Sequence, residues 1–185
     1  AGLRRLRPLP AVLRGDQIAR YQIDKRGYQL DPNATIAYSL GWSAVRINRP
    51  GDAVAVFKTV DPASPFVKDW LPYWNFYSFA HHMRGDHKKE VAVARRAQKF
   101  YPDKHSPLIY EIRAQAALGR TAKIERLIKK SQTLPPEPDR DPRFYYFEAG
   151  RELRAHGYRK ESLDYMERAL AWLRNRPDSE KKASA

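Results

Sequence analysis

The stretch that decides the fold runs from residue 70 to residue 102: Trp70-Leu-Pro-Tyr-Trp74-Asn-Phe-Tyr-Ser-Phe-Ala-His-His-Met-Arg-Gly85-Asp-His-Lys-Lys-Glu-Val-Ala-Val-Ala94-Arg-Arg-Ala97-Gln-Lys-Phe-Tyr-Pro102. Two amphipathic helical segments meet at Gly85-Asp86. Trp74 supplies a large knob to the first, and Ala94 and Ala97 give the second small contact points. Pro102 stops it, because proline cannot continue the backbone hydrogen-bond ladder. The pattern recurs along the chain. Gly85 to Gly119 is 34 residues, and Gly119 to Gly157 is 38, with the extra residues in the loop Leu134-Pro135-Pro136-Glu137-Pro138. Gly41, Ser78, Ile112 and Gly150, at the matching helix position, are spaced by 37, 34 and 38. Four copies in phase point to an internal helical repeat rather than an unrelated bundle.

Upstream of this pair, Ala37, Leu40, Gly41 and Ala44 make one helical face that stops at Asn48-Arg49-Pro50-Gly51. Ala53, Phe57 and Val60 then form a short partner helix ending at Asp61-Pro62, and residues 63–69 are a connector. Downstream, a helix from about Ser106 to Leu118 meets Gly119, and its partner carries Ile124, Leu127 and Ile128 on one side. A last pair turns at Gly157. The expected organisation is a linker or truncated end at 1–15, a degenerate half repeat at 16–32, and an array at 33–177 with units 33–62, 70–102, 105–134 and 142–174. A polar tail occupies 178–185.

The composition, 42% hydrophobic and 30% charged over 185 residues, is that of a chain that folds. No apolar run approaches the roughly 18 residues a membrane span needs, and the start lacks a signal-peptide pattern, so a soluble cytoplasmic protein is expected. With no cysteine, disulfides, thiolate nucleophiles and Cys-ligated zinc are excluded. A net charge of +14 draws anionic partners: nucleic acid, anionic lipid or acidic protein. The basic residues are spread over nearly every helix, the ordinary arrangement of a solvated basic surface.

The order of Trp74, Gly85, Ala94, Ala97 and Pro102 resembles a tetratricopeptide repeat. That resemblance implies an all-α fold, a right-handed superhelix (α-α solenoid) of about four TPR-like helix pairs whose first helices line a concave groove. Glu90, Glu111 and Ile124 depart from the family pattern, which expects a small residue, Leu and a small residue there. Residues 46–53, 73–76 and 95–102 also look like the repeat regions of bacterial multidomain signalling and transcriptional regulators.

Carried over position by position, the family's groove-facing residues are Tyr38, Trp42 and Arg46 in the first unit and Asn75, Phe79 and His82 in the second. The third and fourth contribute Tyr110, Arg113, Phe147, Arg151 and Arg154. Such a groove suits an acidic peptide, since arginine pairs carboxylates bidentately and aromatics supply apolar area. A row of Arg46, Arg113, Arg151 and Arg154 facing one concavity would need anions to relieve it. The alternative for Trp42, Phe79 and Phe147 is packing between helices. Only Asn75 matches the carboxylate clamp of some relatives, so no clamp is implied.

His81, His82 and His87 do not make a metal site on spacing: neighbours on a helix point about 100° apart, and no carboxylate or Cys at ligand spacing completes the set. His81 should turn inward and His82 toward the groove. Arg14-Gly15-Asp16 and Arg84-Gly85-Asp86 read as turns, each Asp accepting from the next helix's amides. Phosphate-loop, dinucleotide, nucleophile-elbow and HExxH motifs are absent, so no enzyme and no cofactor are expected. The expected function is a non-catalytic protein–protein interaction scaffold binding a peptide or partner domain, acidic in character, with no membrane partner. Two alternatives are a nucleic-acid-binding helical repeat and a dimerisation segment that self-associates by burying Trp172 and Leu173.

Overall fold

Asp16 and Asn33 start the first two helices in the same way. Each side chain accepts from the amide three residues on, at 2.9 Å from Ala19 N and 3.0 Å from Ile36 N, satisfying a donor the helix cannot. The computed structural model describes residues 15–175, so the Pro/Arg segment before Gly15 and the polar tail after Asn175 lie outside the described residues. These form ten α-helices and no strand. In order they are α1 (Gln17–Leu30), α2 (Ala34–Arg46), α3 (Pro50–Phe57), α4 (Pro65–Asp69), α5 (Leu71–Met83), α6 (His87–Phe100), α7 (His105–Ala117), α8 (Thr121–Ser131), α9 (Pro142–Ala155) and α10 (Arg159–Arg174).

Several boundaries refine the sequence reading. Pro50 opens α3 instead of closing α2, because a proline in the first turn loses no helical hydrogen bond. The connector 63–69 contains a turn and a half of helix, α4, capped by Ser64 and followed by Trp70. Gly85, Gly119 and Gly157 sit at φ +70°, +68° and +87°, the left-handed conformation the hairpin turns require. In the first pair Asn48, at φ 58°, takes that role, so the glycine ladder misses this turn. Asp86 differs from Asp16: its side chain makes no cap hydrogen bond and instead lies 3.7 Å from Lys89 Nζ.

The chain divides at Arg84/Gly85 into two units. In the first, α2 packs against α1 and α3, and α5 lies on α2 and α3. Its centre is Phe57, fully buried, edge-on to Tyr73 at 5.3 Å and beside Tyr77 at 5.5 Å. A Cβ on Gly41 would overlap the Phe57 ring, so glycine at that position is what admits the aromatic. Tyr73 Oη donates to Phe57 O at 2.9 Å, and α1 is tied to α3 by Tyr21 Oη donating to Asp52 at 2.6 Å. That bond is the main reason the Asp52 carboxyl lies below its ordinary pKa.

In the second unit α7 packs against α6, α8 and α9, and α9 against α10. The core is aliphatic, with Leu108, Ile112, Ile124, Ile128 and Leu153, closed by Tyr145 and Tyr165. Burial pushes the Tyr145 hydroxyl up to about 12, and His105 hydrogen-bonds to it. The residues that break the family pattern are buried here. Glu90 is 0% exposed, bound by Arg113 Nε at 2.7 Å and His87 Nδ1 at 3.2 Å. Glu111 accepts from Arg95 at 2.8 Å and from Gln98 at 2.7 Å. Ile124 is a core residue.

Candidate functional site

In the first unit the residues of the expected groove stand on two helices. Tyr38, Trp42 and Arg46 follow one another at four-residue steps along α2, and therefore form one stripe. Trp42 is half-buried with two guanidinium groups over its ring, Arg46 at 4.9 Å and Arg20 at 5.7 Å. Arg20 is held there by Asp24, at 2.8 Å, while Arg46 is exposed and donates to Gln17 Oε1 at 3.0 Å. Each such cation–π contact contributes roughly 0.5–1 kcal/mol at a wet site. Asn75, Phe79 and His82 are half-buried on α5, with Phe79 and His82 stacked at 6.0 Å. His81 is buried and His82 half-buried, the split that a 100° step implies.

Tyr38 also belongs to a cluster the sequence reading missed. Trp70 meets it edge-on at 5.9 Å, Phe66 lies at 6.0 Å and Phe76 at 6.1 Å. Trp70 is 43% exposed, so this aromatic surface faces solvent. Its signal was Phe66 in the connector and Trp70 directly after it, which α4 brings back onto α2 and α5.

In the second unit the expected row of cations is not one row of similar groups. Tyr110 is buried rather than displayed, and burial pushes its hydroxyl up to about 12. Arg113 is committed to the buried Glu90 carboxylate and lies 6.0 Å from the Tyr110 ring, so the argument that it needs an external anion fails. The reason is that Glu90, read from sequence only as a misfit, brings a charge into the interior that must be paired. Arg151 pairs with Glu148 at 2.9 Å, and both Phe147 and Arg154 are exposed. The sequence reading also found no carboxylate at ligand spacing from the histidines. The helix places Glu90 one turn from His87, and His156 pairs with Glu152 at 3.0 Å with its ring edge-on to His87 at 4.8 Å.

No family model and no curated protein matches this chain. Solved structures do. A crystal structure of MamA is 19% identical, covering 97% of this chain and 99% of that one at a TM-score of 0.66. The fold is of the tetratricopeptide-repeat type. A second MamA crystal structure is 18% identical over 87% of this chain and 85% of that one, TM-score 0.60. A putative kinesin light chain of Podospora anserina with nearly identical TPR-like repeats is 15% identical over 87% and 89%, TM-score 0.60. At these identities the likeness is one of fold. Among the described residues no helix is long and apolar enough to cross a membrane.

Proposed function

We propose that the chain is a non-catalytic protein-interaction scaffold that takes an acidic, partly aromatic or aliphatic peptide segment on the first-helix face of its first unit. The observation that carries this reading is the half-buried Trp42 with the exposed Arg46 guanidinium on its ring, one helical turn from Tyr38 and its solvent-facing partner Trp70. Aromatic surface beside an arginine fits a segment that alternates carboxylates with apolar side chains, because the guanidinium can leave the ring face to pair a carboxylate while the rings keep the apolar contact. The +14 net charge speeds the encounter with such a partner. Asn75 and Phe79 extend the same reading along α5.

The test is fluorescence anisotropy of labelled acidic peptides against the full chain and its Trp42→Ala/Arg46→Glu double variant. The expected result is at least a tenfold weaker Kd in a double variant that still folds, as judged by its helical circular dichroism. Undiminished binding by the folded double variant rejects the face. Displacement of the peptide by single-stranded RNA, with a steep salt dependence, would favour the nucleic-acid reading instead.

A further inference from the structure

Charge that is dispersed along the sequence is gathered by the fold in the second unit. The buried side of α6 is Val91, Val93, Ala94 and Ala97, with Glu90 beside them, and that of α8 is Ile124, Leu127 and Ile128. Each helix turns the rest of its surface outward. The exposed residues of α6 are Lys88, Lys89, Ala92, Arg95, Arg96 and Lys99, and those of α8 are Ala122, Lys123, Arg126, Lys129 and Lys130. Both solvent faces are thus lysine, arginine and alanine throughout. α7 packs against both helices, and Lys130 Nζ donates to Gln98 Oε1 at 3.0 Å, so the two rows adjoin.

Little in the unit neutralises these rows. Lys89 lies 3.7 Å from Asp86, and Arg95 is spent on Glu111, but the remaining cations of the two faces make no ion pair among the described residues. The acids of the same helices are engaged elsewhere, Glu90 with Arg113 and both oxygens of Glu125 with Arg168. The repeat does not impose this pattern, because the exposed side of α10 mixes Asp164 and Glu167 with Lys160, Arg174, Leu163 and Leu170. A surface of like charge is relieved by an anionic partner.

The chemistry of the face selects the anion. Its exposed side chains include nothing apolar beyond alanine. A bilayer would therefore gain the electrostatic attraction without the buried apolar area that holds a peripheral helix, and an acidic protein would find no aromatic or aliphatic anchor. Single-stranded bases would find no exposed ring to stack on, and an RNA 2′-hydroxyl no exposed hydroxyl or amide. Phosphate rows need cations and nothing more, since that interaction supplies essentially all of the sequence-independent binding of duplex DNA. We infer that the α6/α8 face binds the phosphate backbone of double-stranded DNA without regard to sequence. It lies on other helices than the Trp42 surface, and the inference stands whether or not that surface binds a peptide.

The probe is a fluorescein-labelled DNA duplex of about 24 base pairs, titrated with the full chain between about 50 and 200 mM NaCl. Each phosphate contact adds about −0.9 to the slope of log K against log salt, so a slope of about −4 or steeper is expected, and scrambling the sequence should change Kd less than about threefold. Lys123→Glu/Arg126→Glu/Lys129→Glu should weaken binding at least tenfold; should that variant melt early, Arg96→Gln/Lys99→Gln/Arg126→Gln should show the same loss. Arg26→Glu/Lys58→Glu/Lys68→Glu, which reverses three exposed cations of the first unit and changes the net charge equally, should weaken it less than threefold. Equal weakening by the two Glu triple variants, or undiminished binding by the folded α8 variant, overturns the inference. So does displacement of the probe by phosphatidylserine vesicles, single-stranded DNA or an RNA duplex at a lower phosphate concentration than unlabelled DNA duplex requires. Loss in Trp42→Ala/Arg46→Glu with retention in the α8 variant would move the DNA to the first unit, overturning this inference by a result separate from the peptide assay.

Discussion

The two units are built on the same hairpin but hold it together differently. The first is centred on aromatic packing, Phe57 against Tyr73 and Tyr77 with Gly41 making the room. The second joins an aliphatic core to buried carboxylates, Glu90 on Arg113 and Glu111 on Arg95 and Gln98. The comparison teaches that a repeat position tolerates a residue of the wrong chemistry when a neighbouring helix supplies its partner. It also shows why a cation that looks available in one unit is a structural group in the other.

The largest expected effect tests the aromatic centre. Phe57→Ala should cost about 3–5 kcal/mol in urea unfolding, through lost burial and the cavity left behind. A cost below about 1 kcal/mol would show that the first unit does not depend on that ring.

Arg113→Ala should cost about 3 kcal/mol, since it strips the guanidinium from a fully buried carboxylate, whereas Arg113→Met with Glu90→Leu should recover most of it. If the double variant were as unstable as the single one, pairing of the charge would not be the reason for Arg113. This contrast also separates Arg113 from Arg46, where substitution by Glu should leave stability within about 0.5 kcal/mol because the group is exposed.

Next in size is Gly119→Ala, at about 1–3 kcal/mol. It adds a Cβ both to a residue at φ +68° and into the Tyr158 ring, while Gly85→Ala and Gly157→Ala meet no neighbour and should cost only the conformational strain. Thermal melting of the three variants ranks them.

The smallest effect concerns the partly exposed pair Glu125–Arg168. The Arg168 guanidinium holds the Glu125 carboxyl below its ordinary pKa, so the pair stabilises the fold above the usual carboxylate range and loses that contribution as pH falls through the lowered value. Arg168→Gln should cost about 0.5–1 kcal/mol at neutral pH, given the solvent exposure of both groups. The gap from the wild type should close as pH falls through that lowered value. A gap independent of pH would assign the role of Arg168 to its contacts with the Tyr146 and Tyr165 rings.

Turns and helix starts were legible because their causes are local. Gly85, Gly119 and Gly157 announce left-handed turns, and Asp16 caps α1 through its own side chain as expected, whereas Asp86, expected to do the same for α6, makes no cap hydrogen bond. The small residues Ala94, Ala97 and Ala169 are buried as repeat contacts require. Less legible were Asn48, which does a glycine's work with a side chain attached, and α4, too short to show a period.

By itself, then, the sequence determined the helical class, the repeat period and the stripes on which Tyr38, Trp42 and Arg46 stand, because periodicity and capping act within a few residues. Only tertiary structure decided which charges are spent inside. Glu90 finds Arg113 across 23 residues and Glu111 finds Arg95 across 16, and no local rule couples those positions. The same holds for Phe66 and Trp70, which become part of a surface with Tyr38 only when α4 folds back onto α2. Side-chain availability depends on what lies opposite, and that is a property of packing.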